Sequence, residues 1–518
     1  MPRPLVFANG SLLVQIDEHY DIRDLCYPLP GQWNHLAGAP IRMGVYCNGH
    51  FTWCADASWQ KDFEYIAGGL VAESLLTHEA MGLELCIREA THHDQPWHLR
   101  EIEVHHTRAG LADVRVFFAH DLRLEESDMG DTAMVIPHEH ALVHFKRSSY
   151  VLFGVDNLFE YATGVRGDGR GDGCWRDAED GHLSNRAIDQ GSVDSVFSVR
   201  LDLGPGEKLT FGYWIAMGED LDGVLADSAQ IRDRGVAALL DETQQHWGAW
   251  HAARPVISQL SESVKSLYAI SLSVVASQCG SNGAILAAND SSIMVTNRAN
   301  YSYVWPRDGA LVAMAMDDAG YREFAERYFE FCYDLVSEKQ PFYLQKYCPD
   351  GTVGATWHPR IIDGKPEVPM QEDETALTAL AFCRHHGENP SRCDFELYQR
   401  LVVWACDFMA AYVDERGLPK PSYDLWEERR GVHAYTAITV IAALEEASRF
   451  ADARGEADAS NCWRDAANRM RTACDAHMTD GATGRWIRCL GAAPDMTVDS
   501  ATLNSVWFGV DDPYSTRA

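Results

Sequence analysis

The stretch Asn300-Tyr-Ser-Tyr-Val-Trp-Pro-Arg-Asp-Gly309 decides how the second part of this chain folds. Proline is tolerated at the first position of a helix, where its missing N–H would be unpaired anyway. Pro306 therefore marks a helix start, and the apolar run from Ala310 to Met316 continues it. Trp305, Arg307 and Asp308 then sit where a loop becomes a helix, close to backbone N–H groups that lack intrahelical partners. Aromatic faces in such a place pack on the apolar side of a pyranose, while Arg and Asp reach its hydroxyls. The same residues would also make a buried helix start held by one ion pair, and the spacing fits both readings.

A second stretch, Ser422-Tyr-Asp-Leu-Trp-Glu-Glu-Arg-Arg-Gly431 followed by Tyr435-Thr436, sets two adjacent glutamates between a tryptophan and a long apolar helix. Together the two stretches resemble the glucoamylase-type inverting glycoside hydrolases of family 15. That family carries Tyr-x-x-x-Trp-x-Arg-Asp and, later, Tyr-Asp-Leu-Trp-Glu-Glu with a following Gly and aromatic-Thr, in this order. The resemblance implies an N-terminal antiparallel β-supersandwich followed by an (α/α)6-barrel catalytic domain. It also implies an exo-acting, glucan 1,4-α-glucosidase-like enzyme that releases β-glucose from the non-reducing ends of α-linked gluco-oligosaccharides or polysaccharides. On that reading Glu427 is the general acid. Tyr301, Trp305, Arg307 and Asp308 hold the terminal sugar, Trp426 adjoins it, and Glu428 binds hydroxyls on the leaving side. Trp357 and the segment Gln371–Thr375 resemble a family segment that also lines the pocket, but Glu372, Asp373 and Glu374 read as the opening of a helix, where acidic residues are favoured.

The residues of the first part read as strands without help from the resemblance. Ile102 and Val104, then Val114, Val116 and Phe118, then Phe197, Val199, Leu201 and Leu203 alternate with mostly polar positions, the period-two pattern of half-buried strands. Turn signals recur at Asn9-Gly10, Asn48-Gly49 and Gly204-Pro205-Gly206. Residues 1–220 are thus expected to form a large antiparallel sandwich, with Asn9–Leu13 and Ile22–Pro28 resembling its first strands. In the loop 167–181, Asp168, Asp172, Gly173 and Glu179 match positions of a calcium loop. Arg170 occupies a ligand position and the flanks are not helical, so a glycine-rich loop between strands is the better reading. Residues 221–255 have helical spacing and read as a linker ended by Arg254-Pro255.

From 256 to 518 the pattern is helical, with helices expected at 257–278, 307–319, 321–337, 373–386, 394–414, 432–452, 460–478 and 498–509. In the fifth, Leu397, Leu401, Trp404, Ala405, Phe408 and Tyr412 form one stripe. The loops 338–372 and 415–431 are long and aromatic, as a binding site on a helical scaffold requires. About eight helices fall short of the twelve the resemblance implies, so the barrel is expected to be incomplete at its C-terminus. No glutamate follows Glu456, so the catalytic base is expected to be absent from this chain and its competence alone to be low.

A net charge of −32 argues against nucleic acid or an anionic membrane as partner and says nothing against a neutral sugar. No signal peptide or transmembrane run is legible. The fourteen cysteines include no C-x-x-C pair and read as reduced thiols of a cytoplasmic protein, with neither a metal site nor a cofactor expected. Two alternatives stay open: a carbohydrate-binding protein without turnover, and a relative acting on isomaltose, dextran or trehalose linkages, or by phosphorolysis, on the same scaffold.

Overall fold

The computed structural model describes residues 3–66, 68–166, 173–253, 255, 257, 259–289, 300–358, 361–362, 364–387, 389–515 and 517. The chain divides into two compact units, Met1–Ser281 with Ala288–Ser302, and Asn282–Ala287 with Tyr303–Ala518.

The first unit is built on two nine-stranded sheets in which every pairing is antiparallel. One runs in the order Leu5–Ala8, Leu13–Ile16, Ile22–Leu29, Ile41–Cys47, Ala112–His120, Val193–Leu203, Tyr161–Val165, with two short strands attached. The other runs Ile188–Gly191, Asp131–Ile136, Ala141–Lys146, Ser149–Val155, Lys208–Gly218, Trp97–His106, Leu83–Thr91, Ala72–His78, Gln60–Tyr65. Their inner faces meet ring on ring: Phe118 of the first stacks on Tyr213 of the second at 4.3 Å, and His120 on Phe153 at 3.8 Å. One ion pair is wholly enclosed, with Arg100 Nε on Glu89 Oε2 at 2.8 Å and Tyr20 Oη donating to Glu89 Oε1 at 2.7 Å.

The alternating segments take up the expected strands. Asn9–Leu13 differs: Asn9 Oδ1 accepts from the N–H groups of Ser11 and Leu12, which closes a turn, and only Leu13 enters a strand. Of the glycine-rich loop, 167–172, with Asp168, Arg170 and Asp172, lies outside the described residues, and Cys174–Asp180 forms a short 3-10 turn.

The segment 221–253 forms two helices, α1 (Leu221–Arg234) and α2 (Val236–Ala252), meeting at Gly235 with φ +82°. Both pack on the second sheet, where Trp214 Nε1 donates to Ser228 Oγ at 3.0 Å. Helix α3 (Glu262–Ser277) also belongs to this unit, and His251 Nε2 meets Ser273 Oγ at 2.9 Å.

In the second unit the helices are α4 (Pro306–Asp318), α5 (Arg322–Leu335), α6 (Glu372–His386), α7 (Phe395–Tyr398, Gln399–Trp404 and Ala405–Ala411), α8 (Ala434–Ala453) and α9 (Ala457–His477). A short pair, Ser500–Leu503 and Asn504–Trp507, follows. Their sequences sort them into two kinds. Helix α6 is apolar or small on every side from Thr375 to Cys383 and buries 13 of its 15 residues; α9 carries polar residues on one side and buries 7 of 21. A helix apolar on every side must be enclosed, and a one-sided one covers something. Accordingly α6 lies between α4 and α8, while α5 backs α4 and α9 backs α8.

Two expectations need correction here. The buried face of α7 is Tyr398, Leu401, Val402, Ala405, Cys406 and Met409, which shares only Leu401 and Ala405 with the predicted stripe, because Gln399–Trp404 is π-helical and the wider turn shifts the face. The unit is also not helical throughout. A hairpin at Ile361–Ile362 and Lys365–Pro366 and a four-stranded sheet (Ser422–Tyr423, Arg430–His433, Cys489–Leu490, Pro494–Asp495) are made by its loops, in runs too short for sequence periodicity to register. All fourteen cysteines are free thiols. Among the described residues no helix is long and apolar enough to cross a membrane.

Candidate active site

The site lies in the second unit, where the N-termini of α4 and α6 meet the turn between Ser422–Tyr423 and Arg430–His433. Pro306 starts α4, as its fixed φ requires, and this aims Arg307 inward. Arg307 is buried, and its Nη1 donates to Asp373 Oδ2 at 2.9 Å and to Gln371 Oε1 at 2.6 Å. Glu374 lies 3.2 Å from the same nitrogen and accepts from the Arg307 backbone N–H, while Asp308 approaches Nε at 3.5 Å. One guanidinium thus faces three carboxylates. Burial, together with Asp373 and Asp308, pushes the Glu374 carboxyl well up despite Arg307. Burial likewise raises Asp308, whose side chain is nonetheless 41% exposed and so open to a ligand.

Glu427 stands in a turn organised by the buried Asp424. The Asp424 carbonyl accepts the Glu427 N–H at 2.9 Å, and Asp424 Oδ1 accepts the Glu428 N–H at 2.9 Å. This bends Glu427 into the left-handed region at φ +58°, a costly place for a side chain and one found chiefly where function holds it. Three N–H donors converge on its Oε1: Gln345 Nε2 at 2.6 Å, Trp305 Nε1 at 2.9 Å and Gln371 Nε2 at 3.3 Å. No described donor reaches Oε2. One carboxyl oxygen is anchored and the other is free.

Lys346 completes the enclosure. Its Nζ lies 4.1 Å from the Trp357 ring centre, 4.3 Å from Tyr303 and 4.9 Å from Trp305. Burial lowers its pKa, partly offset by Glu427. His358 stacks on Tyr423 at 4.3 Å, and burial likewise lowers its imidazole.

The structure brings Trp305, Arg307, Asp308 and Glu427 into one cluster, with Gln371 joining Arg307 to Glu427. Trp426 and Glu428 face the other side of the turn. Trp426 Nε1 donates to Asp499 Oδ2 at 2.9 Å, and Arg488 spans Asp499 at 2.8 Å, Asp424 at 3.3 Å and Glu428 at 3.4 Å. Tyr301 is 51% exposed and falls with the first unit. Sequence reasoning missed Gln345, Lys346, Gln371, Arg488 and Asp499. The signal available for Gln345 and Lys346 was their place between Tyr343 and Tyr347 in a long aromatic loop.

Residues 264–516 match the model of glycosyl hydrolases family 15. An uncharacterized glycosyl hydrolase of Methanocaldococcus jannaschii is 22% identical over 474 residues, which is 88% of this chain and 71% of that protein. A probable glucoamylase of Schizosaccharomyces pombe is 28% identical over 182 residues, 32% of this chain and 37% of that protein. Among solved structures, a bacterial glucoamylase complexed with acarbose is alike in fold, with a TM-score of 0.78 at 14% identity over 99% of this chain and 76% of that one. The chain is a glycoside hydrolase. Residues 264–516 of it match family 15, and its fold is like that of a bacterial glucoamylase.

Proposed function

We propose that the protein is an exo-acting, inverting α-glucosidase that releases β-glucose from the non-reducing ends of α-linked gluco-oligosaccharides or polysaccharides. The observation that carries this reading is the half-anchored carboxyl of Glu427: Oε1 is fixed by three N–H donors, and Oε2 is left to carry and deliver a proton. A general acid needs that geometry, because protonating a glycosidic oxygen requires a positioned O–H. Arg307, Asp308 and Trp305 grip the terminal glucose, and Trp426 and Glu428 meet the leaving part of the chain. Inversion also requires a second carboxyl opposite the acid to activate water; the residues assigned here are those on the acid's side. The enclosed helices α6 and α8, with α5 backing α4 and α9 backing α8, support an (α/α)6-barrel arrangement, and the two facing sheets support a β-supersandwich.

The test compares substrates that differ in their need for a proton. Glu427→Gln should lose about 10²–10⁴ in kcat on maltose, isomaltose or trehalose, whichever the parent cleaves. It should retain most turnover of α-glucosyl fluoride, whose leaving group needs no acid. An equal loss on both, or none on the oligosaccharide, puts the acid elsewhere. A parent chain that binds these sugars and cleaves none of them supports the carbohydrate-binding alternative instead.

A further inference from the structure

The first unit holds a cavity of about 540 Å³ at the end of its two sheets, lined by His50 and Phe51, by His78 and Met81, and by His106 and Arg108 among others. That volume lies in the range of small-molecule sites. The chain carries 76 acidic residues against 44 basic ones, yet no aspartate or glutamate lines this cavity. Two carboxylates of neighbouring segments are otherwise engaged. Asp113 pairs with Arg115 at 2.7 Å and with Arg200 at 3.2 Å, and Asp56 accepts from Thr52 Oγ1 at 2.8 Å and from the Trp53 N–H at 3.1 Å.

The imidazoles are arranged as opposites. His78 is 7% exposed and His106 3%. Nδ1 of His78 accepts the Met81 N–H at 3.1 Å, so its ring proton sits on Nε2. Nδ1 of His106 faces the Gly204 carbonyl at 3.3 Å, which can only accept, so there Nε2 keeps its lone pair. Neither Nε2 has a partner among the described residues, and the two offer one donor and one acceptor. That pairing suits hydroxyl groups, which both give and take hydrogen bonds. Arg108 supplies the charge. Its stem lies across Gly82, where a Cβ would come within 2.4 Å of Arg108 Cγ, and Nη2 donates to the Glu79 carbonyl at 3.0 Å. No carboxylate among the described residues pairs with it. A guanidinium held in place with spare donors is suited to a planar or tetrahedral anion. Phe51 adds an apolar face.

We propose that this cavity binds a compact polyhydroxylated anion, a sugar phosphate or a sugar acid, with Arg108 on the anionic group and His78 and His106 on hydroxyls. The site is independent of the hydrolytic reading, since its residues all belong to the first unit.

The experiment is calorimetric titration of the full chain with glucose 6-phosphate, glucuronate, glucose and inorganic phosphate. At least one of the two anionic sugars should bind about tenfold or more tightly than glucose or phosphate alone, the scale of one charge-assisted hydrogen bond. Binding of glucose 6-phosphate alone identifies a phosphoryl site; binding of both identifies a general anion site. Arg108→Ala should weaken binding about tenfold or more, and Arg108→Lys should restore part of it. Circular dichroism verifies that each variant is folded. The proposal is overturned if neither anionic sugar binds, if glucose or phosphate binds as tightly, or if Arg108→Ala binds like the parent. It is also overturned if binding is lost in Glu427→Gln and kept in Arg108→Ala.

Discussion

Each unit of this protein buries a strong ion pair, and the two are built on opposite balances. In the sandwich, one carboxylate, Glu89, is met by Arg100, the Tyr20 hydroxyl and His98. Burial alone would raise the Glu89 carboxyl, but Arg100 and His98 outweigh it and hold it below the ordinary range. In the helical unit one guanidinium, Arg307, is met by Asp373, Glu374 and Asp308. There burial, with Asp373 adding to it, leaves Glu374 and Asp308 raised in spite of Arg307. A balanced, closed network holds a fold together. An unbalanced one that opens on solvent is the kind found where a ligand supplies what is missing.

Substitutions can break or sharpen this contrast. Asp308→Asn would remove the proposed sugar contact and also relieve like-charge repulsion. Its kcat/KM should fall about ten- to hundredfold, the value of a hydrogen bond to a charged group, while the thermal midpoint stays level or rises. Intact activity with lost stability would erase the distinction. Glu89→Gln should do the reverse, costing about 3–5 kcal/mol in denaturant unfolding because Arg100 is left buried without a counter-charge, with kcat/KM unchanged.

The smallest expected effect concerns Glu372, whose two carboxyl oxygens are buried with no hydrogen-bond partner among the described residues. Burial, then Asp373, raises its pKa well above the ordinary value, against the pull of Lys420. A raised folded-state pKa means that the group's contribution to stability is complete below its unfolded pKa and is lost as pH climbs toward the folded one. Glu372→Gln does not titrate. Thermal melts should therefore show the variant gaining on the parent from pH 4 to pH 8; a gain that shrinks over that range would contradict the assignment.

Much of this was legible in the chain. Pro306 announced its helix, alternation announced the long strands, and the two aromatic-acidic stretches announced the family. The partners of those stretches were not, because they lie far away along the chain. Arg307 and Asp373 are 66 residues apart, and Gln345 reaches Glu427 across 82. Uncharged amides leave no periodic trace, so nothing local separates Gln345 or Gln371 from an ordinary loop glutamine. The α7 stripe failed for a different reason: a π-helical turn changes the period on which the pattern rests.

The side chain of Gln371 has a consequence beyond its three hydrogen bonds, to Arg307, Glu427 and the Asp424 carbonyl. Its oxygen is held by Arg307 and its nitrogen points at Glu427, so any movement of the guanidinium is passed to the carboxyl. The amide cannot turn over without losing all three contacts at once. The two ends of the site are therefore not independent in evolution. A change at Arg307 alters the background on which a change at Glu427 is selected, and the effects of the two together will not be the sum of each alone. A lineage altering its sugar preference through Arg307 would have to carry Gln371 with it, so that the route to a new specificity runs through an amide that need never touch the sugar.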